Sequence, residues 1–148
     1  MKSVYEQVKT FKRKYPMTLT HHRLKKHSEI VEMHLNPGEV VTYAFAAQKN
    51  ASALDIFETS VIAITNKRIL IGQKRVLFGY FLSAITPDLY NDILVRSGVI
   101  WGSVTIDTVK EVIELSNISK SALPEIETKI TSFMMEAKKS YAKKDGSK

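Results

Sequence analysis

The spacing of hydrophobic residues changes at Glu39 from about 3.6 residues per repeat to two, and this change most constrains the fold. From there to residue 115 we count seven short runs of strand character. Turn residues such as Asn66-Lys67, Pro87-Asp88 and Ser97-Gly98 separate some of them. The pattern predicts an antiparallel meander that closes into a barrel or a packed sandwich. The runs are 41–47, 57–65, 68–71, 77–85, 92–96, 99–107 and 111–115.

Two amphipathic helices are predicted before the strands. The first has Ser3 as its N-cap and ends before Pro16, because the residue before a proline avoids the helical region. The second begins with Thr18 or Thr20 as its N-cap and continues to Leu35. The inward-facing residues are Val4, Val8, Phe11 and Tyr15 on the first helix, and Leu24, His27, Val31 and His34 or Leu35 on the second.

A third amphipathic helix is predicted at about residues 121–141, with one apolar face suited to plugging an open barrel end. We therefore expect a domain at residues 39–141, with its strands at about 39–115 and this helix after them. Residues 1–38 form a helical hairpin that is too small to bury its apolar face alone. It should dock on the rest of the chain or on a second copy. Residues 142–148 are expected to be a flexible tail.

The net charge of +7 is concentrated at the two ends of the chain. Residues 1–38 hold eight Lys or Arg against three acidic residues, whereas residues 39–118 are nearly neutral. No acidic residue lies between Glu6 and Glu29. Such a cluster binds nucleic-acid phosphates, an anionic membrane surface or an acidic protein, or is a solvated face with its aromatic residues buried. The candidate anion-binding residues, here called the basic patch, are Lys9, Lys12, Arg13, Lys14, Arg23, Lys25 and Lys26.

The composition excludes several classes of protein. The 148 residues include no cysteine, which removes disulfides, thiol catalysis and thiolate metal sites, and which fits a reducing compartment. The N-terminal sequence lacks the apolar segment of a secretory signal, and no apolar run approaches the ~20 residues of a membrane span. We therefore expect a soluble cytoplasmic protein built on one domain.

Four histidines, His21, His22, His27 and His34, lie close together in the sequence, but their spacing does not suit a metal site. Two ligands on one helix face lie about three or four residues apart, and no pair from different turns has that separation here. We interpret them as core or boundary residues and predict no metal site.

No catalytic constellation stands out. The six glycines form no nucleotide-binding loop, and no Ser or Lys nucleophile has a recognisable base in the sequence. We therefore predict that the protein is not an enzyme and binds no cofactor. Trp101, the sole tryptophan, is expected in the core or at the barrel end rather than as an exposed anchor for a partner.

Several short motifs resemble those of a known family. Residues 35–39 (LNPGE) are similar to the L-x-P-G-E entry of bacterial pleckstrin-homology (PH)-like domains, and residues 64–70 (ITNKRIL) resemble their second hairpin. Residues 97–106 resemble the later glycine-bearing hairpin, and residues 118–126 resemble the entry to the final helix. Seven antiparallel strands followed by one capping helix is also the order of the PH fold. The resemblance covers about residues 35–137 and is best with the YokE-like bacterial PH domains.

The resemblance implies an α+β, mainly β fold: a PH-like seven-stranded antiparallel barrel capped by a C-terminal helix, with the N-terminal hairpin outside the PH core. It also implies a bacterial or prophage protein that binds or scaffolds without catalysis. PH domains that bind phosphoinositides grip phosphates with several basic residues in the first hairpin loop. The corresponding residues 48–54 offer only Lys49, so phosphoinositide recognition is not expected.

The leading hypothesis is a non-enzymatic binding module that engages another protein or a second copy of itself, through open sheet edges or grooves at the barrel end. The alternative is binding of nucleic acid, or of an anionic membrane surface, through the basic N-terminal hairpin. Phosphate binding should weaken steeply as salt rises, whereas an apolar contact should not.

Overall fold

Helices and strands follow one another in the predicted order. The structure is a computed structural model that describes residues 3–18, 23–49, 59–75 and 78–146, with side chains up to residue 140. The helices are α1 (Val4–Lys14), α2 (Leu24–Met33) and α3 (Leu123–Gly146), and a 3-10 turn at Lys120–Ala122 precedes α3. The strands are β1 (Val41–Lys49), β2 (Thr59–Thr65), β3 (Ile69–Lys74), β4 (Tyr80–Ile85), β5 (Tyr90–Ser97), β6 (Trp101–Thr108) and β7 (Val112–Ser119).

The seven strands form one antiparallel sheet in the order β4-β3-β2-β1-β7-β6-β5. Strands that follow one another in sequence are neighbours, except β4 and β5. β1 joins the two halves by pairing with β7 through Gln48–Ser116 and Lys49–Leu115. The sheet curls into a half-barrel with β4 and β5 as its open edges. The predicted mainly β fold, with seven antiparallel strands and a C-terminal helix, is confirmed.

The main core fills the inner face of the curled sheet. Phe45, Ile62 and Ile71 from one half meet Ile106 and Leu115 from the other, and all five are fully buried. Burying each such side chain contributes about 1.5–3 kcal/mol. The amphipathic helix α3 covers this core with Leu123, Ile126, Ile130 and Met134, and α1 adds Phe11 and Tyr15.

Helices α1 and α2 pack on the outer face of β1, β2 and β3. Val8 and Val31 contribute to a second buried cluster with Ala46, Val61 and Leu70 from the three strands. All seven residues of β2 are consequently buried, because the strand has protein on both faces. The N-terminal hairpin therefore docks on its own sheet, one of the two possibilities that its apolar faces predicted.

Gly72 on β3 is the point of closest approach between α2 and the sheet. A Cβ atom at this position would lie 2.7 Å from Val31 Cγ2 and 3.3 Å from the Val31 backbone nitrogen. Glycine allows this close approach, because a side chain here would meet first the Val31 side chain and then the helix backbone. The sequence pattern marked the strand but not this contact.

The start of α2 differs from the prediction. Thr18 was expected as a possible N-cap, but it is buried and its hydroxyl accepts a hydrogen bond from the Ser119 backbone N–H at 3.0 Å. The helix begins instead at Leu24, after Arg23 in a left-handed conformation (φ 51°), and ends at Met33 rather than Leu35. Thr20 lies outside the described residues. The Thr18 side chain is therefore used to tie the linker to the sheet.

Other boundaries shift by a few residues. β7 continues to Ser119, four residues past the predicted end, because it pairs with β6 as far as Trp101. α3 runs to Gly146, so the backbone of residues 142–146 is helical. The predicted strand residues 57, 58 and 77 lie outside the described residues. The domain division at residue 38 and the flexibility of the tail stay predictions.

Candidate interaction surfaces

Two of the family-like motifs meet in a buried ion pair. Arg68 Nε lies 3.0 Å from Glu39 Oε2, and Arg68 Nη2 donates to Glu39 Oε1 at 3.1 Å and to the His34 carbonyl at 2.9 Å. The Thr65 hydroxyl donates to the same carboxylate at 2.6 Å. These contacts join the end of α2 to the β2–β3 turn, so the two motifs have a structural role.

Burial alone would raise the pKa of Glu39. Hydrogen bonds from Arg68, the Asn36 backbone N–H and Thr65 outweigh burial and hold the pKa below its ordinary value. The carboxylate is therefore charged and fully engaged, which suits a tie between elements rather than a general base.

Three cations of the basic patch make hydrogen bonds or an ion pair within the chain. Lys12 donates to the Thr18 carbonyl, and burial lowers its pKa. Lys14 Nζ lies 2.5 Å from Glu125 Oε1 on α3. Arg23 Nη1 donates to the Arg75 carbonyl at 3.3 Å. The patch is thus divided, since Lys14 contacts α3 and Arg23 contacts the β3–β4 hairpin.

The other four cations of the patch face solvent. Lys9 lies with its Nζ 4.8 Å from the centre of the Tyr5 ring. Arg13 is exposed at the end of α1, and Lys25 and Lys26 are exposed in the first turn of α2. Their binding of anions stays a prediction.

A pocket of about 370 Å³ lies between α1, β1 and α3. At its wall the Tyr43 hydroxyl donates to Glu125 Oε2 at 2.7 Å, beside the Lys14 contact. Burial and the neighbouring carboxylate raise the pKa of Tyr43. Burial also acts to raise the pKa of Glu125, but hydrogen bonds from Lys14 and Tyr43 outweigh it and lower that pKa. The polar groups here satisfy one another and link three elements.

The two described histidines have structural contacts. His27 is fully buried, and its Nδ1 accepts from the Lys74 backbone N–H at 2.8 Å. His34 Nδ1 donates to the Ile30 carbonyl at 2.6 Å, and its Nε2 lies 3.2 Å from the Tyr80 hydroxyl. His21 and His22 lie outside the described residues. Within residues 3–18, 23–49, 59–75 and 78–140, no group of three His, Asp or Glu side chains is arranged to hold a metal ion.

Trp101 is half-buried at the start of β6, where its Nε1 donates to the Met17 carbonyl at 2.7 Å. This bond, together with that between Thr18 and Ser119, holds the segment after α1 against the sheet. Trp101 thus helps to hold the N-terminal hairpin from the first position of β6.

The β3–β4 hairpin presents aromatic residues to solvent at one end of the sheet. Phe78 is 83% exposed, Tyr80 49% and Phe81 38%, and we call these three the aromatic tip. The Arg75 backbone N–H donates to the Gly79 carbonyl at 3.1 Å, with Gly79 at φ 70°. This hairpin and the start of α2 carry five cations, which we call the basic rim: Arg23, Lys25, Lys26, Lys74 and Arg75.

The two edge strands differ in their protection against pairing. β5 carries Asp92 and Arg96, and its register with β6 shifts between Tyr90 and Asp92. β4 has the sequence YFLSAI, without a charge or a proline, and pairs with β3 in continuous register. Charges and bulges are the usual means of blocking edge-to-edge association. β4 is therefore the unprotected edge.

Sequence reasoning missed both the aromatic tip and the β4 edge. The available signal was a basic pair, Lys74-Arg75, followed by an apolar run to Leu82. That run indicated a strand but not which strand ends the sheet, because edge position depends on pairing between distant segments. Among the described residues, no helix is both long and apolar enough to cross a membrane.

The family model of the bacterial PH domain matches residues 35–132, about two thirds of the chain. No curated protein and no solved structure matches the chain. The match begins at the motif that contains Glu39 and ends within α3, so α1 and α2 precede it. The finer assignment to YokE-like domains stays a prediction.

Proposed function

Because the chain belongs to the bacterial PH domain family, we propose that it is a non-enzymatic binding module that engages another protein in the cytoplasm by adding a strand of that protein to β4. The family suggests a binding or scaffold module, and PH-like domains are generally non-catalytic. A second copy of this chain is the other possible source of the strand.

The unprotected β4 edge is the observation that carries this proposal. Six residues in regular register leave one side of the strand without a neighbouring strand in the described part of the chain. An added strand gains backbone hydrogen bonds, each contributing about 0.5–1.5 kcal/mol net. Tyr80 and Phe81 point to opposite faces and offer cross-strand contacts to the incoming side chains.

The ionisable groups with shifted pKa values support a role without catalysis. Glu39, Tyr43 and Glu125 each take part in hydrogen bonds between separate helices or strands. A general acid or base needs a group aimed at a space where substrate can sit. Tyr43 and Glu125 line the pocket between α1, β1 and α3 but hydrogen-bond to each other there, and the Glu39 carboxylate is held by Arg68 and Thr65.

A second candidate function is nucleic-acid binding through the N-terminal hairpin. The solvent exposure of Arg13, Lys25 and Lys26 favours it. The contacts that engage Lys12, Lys14 and Arg23 weigh against it, because those cations are less available to phosphates.

The test compares capture of partners by the tagged wild-type chain and by Leu82→Lys, which places a charge on the β4 edge. Leu94→Lys on the opposite edge strand is the matched control, since Leu94 is exposed. We expect a discrete protein that is retained after nuclease and moderate salt, and that is lost with Leu82→Lys alone.

Sedimentation of the purified chains identifies the source of the strand. A dimer that Leu82→Lys dissociates would assign the edge to a second copy. Equal capture by both lysine variants would remove β4 from the proposal, and capture that nuclease abolishes would favour the basic hairpin. Thermal unfolding of each variant shows that a loss of binding is not a loss of fold.

A further inference from the structure

The pocket between α1, β1 and α3 lies where the start of β1 leaves the rest of the sheet. Among the described residues, β1 pairs with β7 at Gln48 and Lys49 alone, so its first residues have no partner in β7. α1 packs on β1, α3 begins shortly after β7, and both helices line the pocket. Thr42, also in the lining, is the extra residue where β1 shifts register against β2. Bulges of this kind re-aim side chains and are common beside functional sites.

The two lysines in the lining differ in how they are engaged. Lys14 pairs with Glu125 Oε1, and the other oxygen of that carboxylate accepts from the Tyr43 hydroxyl. Lys129, one turn further along α3, is exposed, with its Nζ 5.6 Å from the centre of the Tyr43 ring. It forms no ion pair within the part of the chain that the structure describes. Two lysines against one glutamate therefore leave the lining with one unbalanced positive charge.

Much of the remaining lining is apolar. Phe11 meets the Tyr43 ring edge to face, with centroids 6.4 Å apart and planes at 90°, so the two rings form an aromatic corner. Val41 and Ala44 add aliphatic surface beside it. An aromatic group packs well in such a corner. The volume of about 370 Å³ also falls in the range of about 300–1,000 Å³ that is typical of small-molecule sites.

We propose that this pocket binds a small monocarboxylate with an aromatic body, whose carboxylate contacts Lys129 while the body packs against Phe11 and Tyr43. The site lies at the start of β1 and uses no residue of β4. It therefore goes beyond the proposed strand addition, and either proposal can fail without the other.

Ligands of other charge suit the pocket less well. The Glu125 carboxylate is already held by Lys14 and Tyr43, and an ammonium group of the chain itself lies over the Tyr43 ring. An incoming amine would thus meet repulsion where it needs attraction. A phosphate monoester carries about two negative charges near neutral pH, which exceeds the single unbalanced charge and adds repulsion from Glu125.

The test titrates the isotope-labelled full chain with phenylacetate, phenylacetamide and phenethylamine, which share a benzyl group and differ in charge. Backbone amide NMR gives the dissociation constant and locates the site. Phenylacetate should bind at least about threefold more tightly than phenylacetamide, and phenethylamine should not bind. The shifted amides should be concentrated at residues 10–14, 41–44 and 125–129.

Variants on one helix separate the cation from general charge. Lys129→Met keeps an apolar stem but removes the charge, and it should weaken phenylacetate binding at least about threefold. Lys139→Met makes the same substitution at an exposed position further along α3 and should bind as wild type. Glu125→Gln removes the acid from the lining and should tighten binding. Thr10→Phe, at an exposed position of the lining, fills space in the pocket and should abolish binding.

Several results would overturn the proposal. They are absence of phenylacetate binding, equal binding of phenylacetate and phenylacetamide, tighter binding of phenethylamine or phenyl phosphate, and shifted amides away from the lining. Equal affinity of Lys129→Met and Lys139→Met for phenylacetate would overturn it as well. Thermal unfolding of each variant shows that a loss of binding is not a loss of fold. Bound phenylacetate should also raise the unfolding temperature of the wild-type chain, because it binds the folded state alone.

Discussion

The two halves of the sheet are both antiparallel, but helices cover the outer face of one half and solvent covers the outer face of the other. On β1, β2 and β3 the outer residues, including Ala46, Val61 and Leu70, are buried under α1 and α2. On β5, β6 and β7 the outer face exposes charged residues such as Asp92 and Glu114. A strand with apolar residues on both faces needs cover on both, whereas an alternating strand can face water. The first half therefore depends on the N-terminal helices, and the second half does not.

The largest expected effect comes from a charge placed on the covered face. Ala63→Asp puts a carboxylate in a fully buried position between β2 and the helices. We expect the free energy of unfolding to fall by more than about 4 kcal/mol, because the buried charge has no partner. Urea denaturation followed by circular dichroism measures the loss.

Ser103→Asp introduces the same carboxylate on the half of the sheet whose outer face is exposed to solvent. Ser103 is half-exposed opposite Arg96, so the new carboxylate meets water and a cation. The free energy of unfolding should change by no more than about 0.5 kcal/mol. Similar losses for both variants would show that the two halves do not differ as described.

An intermediate effect is expected from the ion pair that ties α2 to the covered half. Arg68→Met leaves the buried Glu39 carboxylate without its cation, which should cost about 3–5 kcal/mol. Arg96→Met on the open half is the control, with a change within about 0.5 kcal/mol. Chemical denaturation at neutral pH measures both, and a small loss for Arg68→Met would mean that the pair does not hold the hairpin.

The ion pair between Glu39 and Arg68 should also make the stability of the folded chain depend on pH in the acid range. The pKa of Glu39 is lower in the folded chain than its ordinary value, so its stabilisation is present above that ordinary value and is lost as pH falls through the lowered pKa. Arg68→Met removes the cation while burial still acts, so the pKa of Glu39 is higher in the folded variant than in folded wild type. The stability difference between the two chains should therefore shrink as pH falls from the pKa of Glu39 in the variant to its lowered pKa in wild type. Unfolding measured across pH tests this sign.

The smallest expected effect is at Gly72, where α2 contacts β3. Gly72→Ala places a methyl group against Val31 and should cost about 1–3 kcal/mol as the helix shifts. Val31→Ala is itself destabilising because Val31 is fully buried, but it also makes room for the new methyl group. The double variant should therefore lose less stability than the sum of the two single losses, which is a favourable coupling energy. Strict additivity of the two substitutions would mean that the close approach is not tight.

Local pattern was enough to predict much of this fold. Alternating residues and turn dipeptides marked all seven strands, and Ser3 was identified as the N-cap that accepts from the Glu6 backbone N–H. The motif containing Glu39 and the motif containing Arg68 were both noticed, but only as family features. Glu39 and Arg68 form an ion pair between segments far apart in the sequence, and the pattern of either segment alone does not predict it.

The candidate surfaces were less predictable for the same reason. The basic patch was found as a run of cations, yet its members point to different neighbours, with Lys14 at α3 and Arg23 at the β3–β4 hairpin. Thr18 matched the pattern of a helix cap but bonds to β7 instead. A side chain with several possible partners takes the one that the packed chain brings to it.

The sequence by itself determined the number and type of elements, the inward faces of the helices and the family, because these depend on residue spacing over short stretches. Only the tertiary structure decided that the N-terminal hairpin covers β1 to β3, that β4 is the unprotected edge and that the start of α2 lies beside the β3–β4 hairpin. Those features arise when segments far apart in the chain pack together, and burial and charge at each position are then set by neighbours that local spacing does not specify.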